Sequence, residues 1–415
     1  MKNFLVHNDD VRAEMLKSIG EASIEDLFKQ IPQKARMGEM NFENPLSEME
    51  VQKRIKSLAK KNKTDYISFL GAGVYNKFIP ACISQVAQRF EFLTAYTPYQ
   101  PEISQGTLQI MYEFQTMICR LTGMDISNAT VYDAANACAE AILMAVRISK
   151  KDKVLIANSL NPEYIDVVKT YAHFNGISVE MFDQIPANTS EYACILIQTP
   201  DYYGEILEIN KPEDTLLIVC TDPSTLSILK PPGEYGADIV VGDVQTLGIP
   251  MEFGGPHAGF IACREKFMRQ IPGRLAGRTV DADGNQAFCL TIQTREQHIK
   301  REKATSNICS NQALIGLCTT LHLSLLGEEG FRQAGYLSTK HAHKLSEKLA
   351  EKGIKTLNKN FFNEFVIQVN NADDFLATLK KNNIIGGLKL DDNKILVAAT
   401  EMISDEDIIS YAEAF

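Results

Sequence analysis

Short, almost unbroken apolar runs spaced through residues 153–263 constrain this chain more than any other feature. They are Lys153–Ala157, Tyr192–Gln198, Leu216–Cys220, Ile239–Val241 and Gly259–Cys263. A strand with one wet face alternates apolar and polar residues, whereas a continuous run marks a strand covered on both faces. Helical stretches separate the runs, so the pattern predicts an α/β layer with a mainly parallel sheet. Upstream, Leu108, Met111, Phe114, Ile118 and Leu121 keep helical spacing, with Gly123 placed to end that helix. Downstream, a long helix is expected from about Ser310 through Ala313, Leu317 and Leu321 to Gly327. The remainder reads as an α+β unit: helix Tyr336–Lys352, strand Glu364–Val369, helix Ala372–Asn382, strand Lys394–Ala398 and helix Asp405–Glu413.

The first stretch has another character. From Asp9 to about Lys63 it is charged and helical in period, with a capping-box pattern at Ser23 and Asp26 and a third helix expected over Ser47–Leu58. Its apolar residues are too few for a core, so it reads as an arm lying on something else. The expected division is an arm over residues 1–63, a large domain over 64–326 and a small α+β domain over 327–415. A formal net charge of -10 argues against nucleic acid or an anionic membrane as main partner. Acidic residues interrupt the beginning before an apolar run develops, so no signal peptide is expected, and no stretch is long enough to span a membrane. Nine cysteines stand singly, without CxxC or metal-like spacing. They read as reduced core thiols of a cytoplasmic protein, with no metal set.

Chemistry is expected at the carboxyl edge of the sheet, where α/β folds bind ligands. Asp222 follows the run Leu216–Cys220. It either caps a turn before Pro223 or holds the pyridine nitrogen of pyridoxal phosphate (PLP) protonated, making that ring an electron sink. A PLP enzyme would carry its lysine after the next strand, but the chain reads Asp243-Val244-Gln245-Thr246. An amide cannot condense with an aldehyde, because its nitrogen lone pair is delocalised. Lys230 precedes that strand and Lys266 follows the next, so neither is well placed. The candidate phosphate helix begins Tyr132-Asp133-Ala134-Ala135-Asn136. Asp133 brings a like charge to the phosphate entrance and can cap the helix itself. These residues describe the body of a PLP enzyme without its covalent anchor, and hence one half of a two-part enzyme.

Two other segments are dense in polar groups. Residues 293–309 gather cations and then present Thr305, Ser306 and Asn307 before an expected helix. They form either a solvated basic face with a cap or an anion clamp aimed across a subunit interface. Tyr96, Thr97, Tyr99, Glu102, Ser104 and Gln105 crowd a proline-bound loop. Its tyrosines are either packing anchors or the edge of a ligand or partner site.

The strings Thr94–Gly106, Phe114–Cys119, Lys230–Asp238, Gly254–Ala258, Pro272–Arg274, Gln293–Ile299 and Lys303–Cys309 closely resemble the glycine cleavage system P-protein family. Within it they resemble subunit 1, the α chain of the split glycine dehydrogenase (decarboxylating). The resemblance implies a PLP-dependent, aminotransferase-like fold (fold type I) and an α2β2 assembly whose β chain, subunit 2, carries the PLP lysine. It implies decarboxylation of glycine, release of CO2 and transfer of the aminomethyl group to the lipoyl disulfide of the H-protein, an oxidoreductase acting on CH–NH2 donors. Gln245 is then what an α chain should have. By carry-over, Tyr96, Thr97, Tyr99, Glu102, Ser104, Gln105, Thr305, Ser306 and Asn307 contribute to an active site at the α–β interface, while Asp133, Asn136, Asp222 and Gln245 line a vestigial pocket. The family usually has Tyr-Asp-Gly-Ala-Thr where this chain has Tyr132–Asn136, a departure that counts against vestigial cofactor binding here. A non-catalytic scaffold and a stand-alone PLP enzyme with an unrecognised lysine remain rival readings.

Overall fold

The structure, a computed structural model, describes residues 7–38 and 40–415. Most of the opening segment considered above for a signal peptide, residues 1–6, lies outside the described residues. The chain divides into two compact units, residues up to Thr64 and residues from Asp65 onward. In the first, helices span Asp9–Ser18 and Glu48–Ala59, with a 3-10 turn at Ile24–Phe28, and none of the three buries a residue. Local capping holds them. Ser23 and Asp26 bond each other's backbone N–H reciprocally, as do Ser47 and Glu50.

The second unit begins with β1 (Ile67–Ser68), followed by β2 (Ile126–Ser127), β3 (Lys153–Ala157), β4 (Ser178–Phe182), β5 (Cys194–Gln198), β6 (Leu216–Cys220), β7 (Ile239–Asp243) and β8 (Gly259–Cys263). Strands β2 to β8 form one sheet in the order β2-β8-β7-β6-β5-β3-β4. Strands β3 to β7 run parallel, while β8 is antiparallel to β7 and β2 to β8. Both faces are covered: Ile218 packs with helix Ala134–Ser149, whereas its neighbours Leu217 and Val219 pack with Phe114 and Ile118. The continuous apolar runs therefore serve two cores at once. The expected strand at Tyr192 starts two residues later, and the one at Ile239 extends to Asp243. Helix Gln105–Thr122 ends at Gly123, which adopts the left-handed conformation (φ 68°) its position calls for.

A hairpin follows, β9 (Leu275–Val280) with β10 (Gln286–Thr291). The long helix runs Ala313–Glu351 and is broken at Gly327 (φ 60°, ψ -173°). It starts three residues beyond the expected Ser310, because Asn311 and Gln312 are held outside it. Asn311 Nδ2 donates to Ala129 O, and Gln312 N–H donates to the Thr130 hydroxyl. Thr305, Ser306 and Asn307 therefore do not cap a helix. They lie in irregular chain before it. Beyond Gly327, β11 (Lys355–Thr356), β12 (Glu364–Gln368), β14 (Leu388–Asp391) and β15 (Lys394–Ala398) form an antiparallel sheet, while β13 (Ile384–Ile385) pairs in parallel with β1. Helices Ala372–Lys381 and Asp405–Ala412 pack on this second core, which takes in Phe69 from the segment after β1. Among the described residues no helix is long and apolar enough to cross a membrane.

Candidate functional site

The carboxyl ends of β5, β6 and β7 open on one cavity, lined also by the start of helix Ala134–Ser149, by Gly73 and Tyr75, and by Asn363 and Glu364. It encloses about 50 Å3. Cofactor sites usually need about 300–1,000 Å3, so there is room here only for water-sized occupants. Gln245, 1% exposed, explains the closure. Its Oε1 accepts from Tyr75 N–H (2.9 Å), and its Nε2 donates to the carbonyls of Tyr75 (3.0 Å) and Ile249 (3.0 Å). The amide thus pairs with the backbone as a strand neighbour would. A lysine amine, with donors only, could not satisfy Tyr75 N–H.

Asp222 acts as a cap. It accepts from Ser224 N–H, the Ser224 hydroxyl and the Thr246 hydroxyl (2.6 Å). The helix N-terminus that would cradle phosphate is met by two carboxylates of the chain itself. Asp133 accepts from Asn136 N–H (2.7 Å), and Asp243 accepts from Ala134 N–H (3.3 Å). Asp243 also bonds Gln245 N–H and the His257 ring (3.1 Å). Asn136 donates to the Tyr171 hydroxyl and, like Asp133, does not line the cavity.

Burial makes this carboxylate-rich cavity unusual. Desolvation pushes Glu364 up to about 7 and Asp201 up to about 6, and raises Asp243 as well. The hydrogen bond to Asp243 raises His257. Glu364 Oε1 accepts from Ala72 N–H and its Oε2 from the Tyr75 hydroxyl (2.7 Å). Among the described residues no lysine or arginine lines the cavity, and Lys230 and Lys266 are exposed elsewhere. These residues do not fit PLP: the space is too small, the amine is missing, and the phosphate position already holds negative charge.

The second candidate region is open. Tyr96 is 80% and Tyr99 47% exposed; Thr97 is half-buried and Glu102 exposed. Ser104 stands at the start of helix Gln105–Thr122 without a side-chain cap bond. Gln105 faces inward and ties that helix to the hairpin. Its Nε2 donates to Phe288 O (2.9 Å), and its Oε1 accepts from Phe288 N–H (2.8 Å). Thr305 and Ser306 are half-buried, and Asn307 is exposed. Ser306 donates to buried Glu140 (2.8 Å), whose carboxyl desolvation raises. The two polar segments meet through Tyr99, which lies edge-on to His298 (5.4 Å) and near the Arg274 guanidinium (5.7 Å).

The sequence had drawn attention to Gln245 but not to Tyr75, Asp243 or Glu364, nor to Arg274 as an individual residue. Asp243 stood two residues from Gln245 and could have been found as a carboxylate at the strand end. Cys82 and Cys309 are exposed rather than core thiols.

Known proteins resemble this chain along nearly its whole length. The sequence profile of the family described as glycine cleavage system P-protein matches residues 2–415. A protein named probable glycine dehydrogenase (decarboxylating) subunit 1, from Geobacillus thermodenitrificans, is 45% identical, the alignment covering 98% of this chain and 97% of the relative. One of the same name from Desulforamulus reducens is 46% identical over 93% and 92%. A solved structure of glycine decarboxylase (P-protein) of the glycine cleavage system, in inhibitor-bound form, superposes with TM-score 0.92 at 38% identity over 99% of both chains. A Lactobacillus brevis glutamate decarboxylase superposes with TM-score 0.64 at 10% identity, over 94% of this chain and 97% of its own, a likeness of fold alone. The architecture is that of fold type I PLP enzymes.

Proposed function

This chain belongs to the glycine cleavage system P-protein family, as a subunit 1 of glycine dehydrogenase (decarboxylating), and from that premise we propose that it completes an active site whose PLP is bound covalently by subunit 2. In this reading the two chains form an α2β2 enzyme in the cytoplasm that takes CO2 from glycine and passes the aminomethyl group to the lipoyl arm of the H-protein. PLP on subunit 2 supplies the electron sink. This chain supplies walls. Tyr96, Thr97, Tyr99 and Glu102 shield the reacting glycine from water, and Thr305 and Asn307 approach the partner's anionic groups, while Ser306 steadies their segment through Glu140. Exclusion of water and fixed geometry both favour loss of a carboxylate.

One observation carries the proposal. Gln245, which we read as standing in place of a Schiff-base lysine, commits its whole amide to backbone partners. The test is glycine–bicarbonate exchange by subunit 2 with and without this chain. We expect exchange to require it, and Tyr96→Ala to lower turnover of the assembled complex by about tenfold, the effect expected of a misplaced active-site wall, with less loss of association. Unchanged exchange without this chain contradicts the proposal. Equal losses of turnover and association for Tyr96→Ala would leave a scaffold only.

A further inference from the structure

We propose that Arg274 is the positioning residue of the open surface, holding Tyr99 and the segment 304–311 in one arrangement; the inference rests on the reading that this surface walls the partner's active site.

The segment has no regular structure of its own. From Ala304 to Gln312 the chain has neither helix nor strand, so no ladder of backbone bonds fixes its course. Arg274, immediately before β9, is 4% exposed. Its Nη1 donates to Asn311 Oδ1 and its Nη2 to Cys309 O, both at 2.9 Å. Asn311 is itself anchored through Nδ2 to Ala129 O. The guanidinium also lies 5.7 Å from the centre of the Tyr99 ring. One planar side chain therefore touches both polar segments, which stand about 200 residues apart in sequence by their numbering.

The electrostatics argue that the charge is there for geometry. The Glu296 carboxylate is 3.9 Å from Nε, a loose ion pair for a cation so deeply placed. Among the described residues Nε itself has no hydrogen-bond partner. Burying an imperfectly paired cation costs stability, and an apolar side chain of similar volume would avoid that cost. What an apolar residue cannot supply is a rigid fork with two directed donors under an aromatic ring. Lysine cannot supply it either, being a point charge on a flexible stem.

Arg274→Lys tests this in the complex with subunit 2, at saturating subunit 2, so that activity is counted per assembled enzyme. We expect amide hydrogen exchange over residues 304–311 to rise at least about tenfold and kcat to fall about tenfold, the factor that a 1.4 kcal/mol loss corresponds to. Affinity for subunit 2 should change less than about twofold. Asn311→Ala, which removes one acceptor and keeps the arginine, should move exchange and kcat the same way by a smaller factor, and it carries the test if the lysine variant does not fold. Faster exchange with kcat unchanged would make Arg274 merely structural and overturn the proposal, as would affinity falling in step with kcat. Tyr96→Ala separates the levels. If it lowers kcat while both Arg274→Lys and Asn311→Ala do not, the Arg274 inference fails alone; if no variant lowers kcat, the reading of the surface fails with it.

Discussion

The cavity at the sheet's carboxyl edge and the surface around Tyr96 are built from similar residues, yet they dispose of their polar groups in opposite ways. In the cavity those groups turn on one another. Gln245 makes three bonds to backbone, Asp222 caps its own turn, and Glu364 is held by Ala72 and Tyr75. At the surface, Tyr96, Glu102 and Asn307 face outward. A fold can thus close a cavity at its sheet edge with its own side chains, and expose comparable chemistry elsewhere. Inward satisfaction should appear in stability and outward presentation in catalysis.

The largest stability effect should come from Gln245→Leu. It leaves Tyr75 N–H and two carbonyls buried without partners, at about 1–3 kcal/mol for an unmade bond, so we expect a loss of about 3 kcal/mol in urea unfolding. A loss below about 0.5 kcal/mol, the usual size for a surface change, would mean the cavity is not a keystone. The next effect depends on pH. Burial lifts Glu364 from 4.5 to about 7, so the folded state favours the protonated carboxyl. Its contribution is best below pH 4.5 and is lost as pH rises through about 7, an effect on the order of 3 kcal/mol. Wild type should therefore lose stability between pH 5 and pH 8 that Glu364→Gln keeps. Parallel curves would show that Glu364 is not strained by burial.

Gln105→Ala probes the boundary between the regions. Its two bonds to Phe288 predict a loss of about 2 kcal/mol in stability, with kcat per assembled complex unchanged. A fall in kcat without destabilisation would assign Gln105 to the open surface. Ser306→Ala should cost about 1 kcal/mol, by removing the donor to buried Glu140, read from the same unfolding curves. No change would show that Ser306 faces outward in solution.

Much of this contrast was legible beforehand, and the illegible parts have physical reasons. The continuous strands announced themselves because both faces are buried. Strand β4 did not, because it is an edge strand with Ser178 exposed and the rest only half-buried or exposed. Hairpin β9–β10 hides likewise, since Arg278, Thr279 and Val280 point to water. Gln245 stood out in the sequence as an amide just past a strand end. Its partner Tyr75 did not, since that bond joins residues 170 apart, and no local pattern encodes so distant a contact. The helix expected near Ser310 was delayed by Arg274, Ala129 and Thr130, again distant in sequence.

The most direct test of the central claim is the absorbance of this chain purified alone, incubated with pyridoxal phosphate, dialysed, and then treated with borohydride and mapped by mass spectrometry. The account predicts a colourless protein with no lysine stoichiometrically modified. A yellow protein whose cofactor is fixed by borohydride to a single lysine of this chain would contradict it.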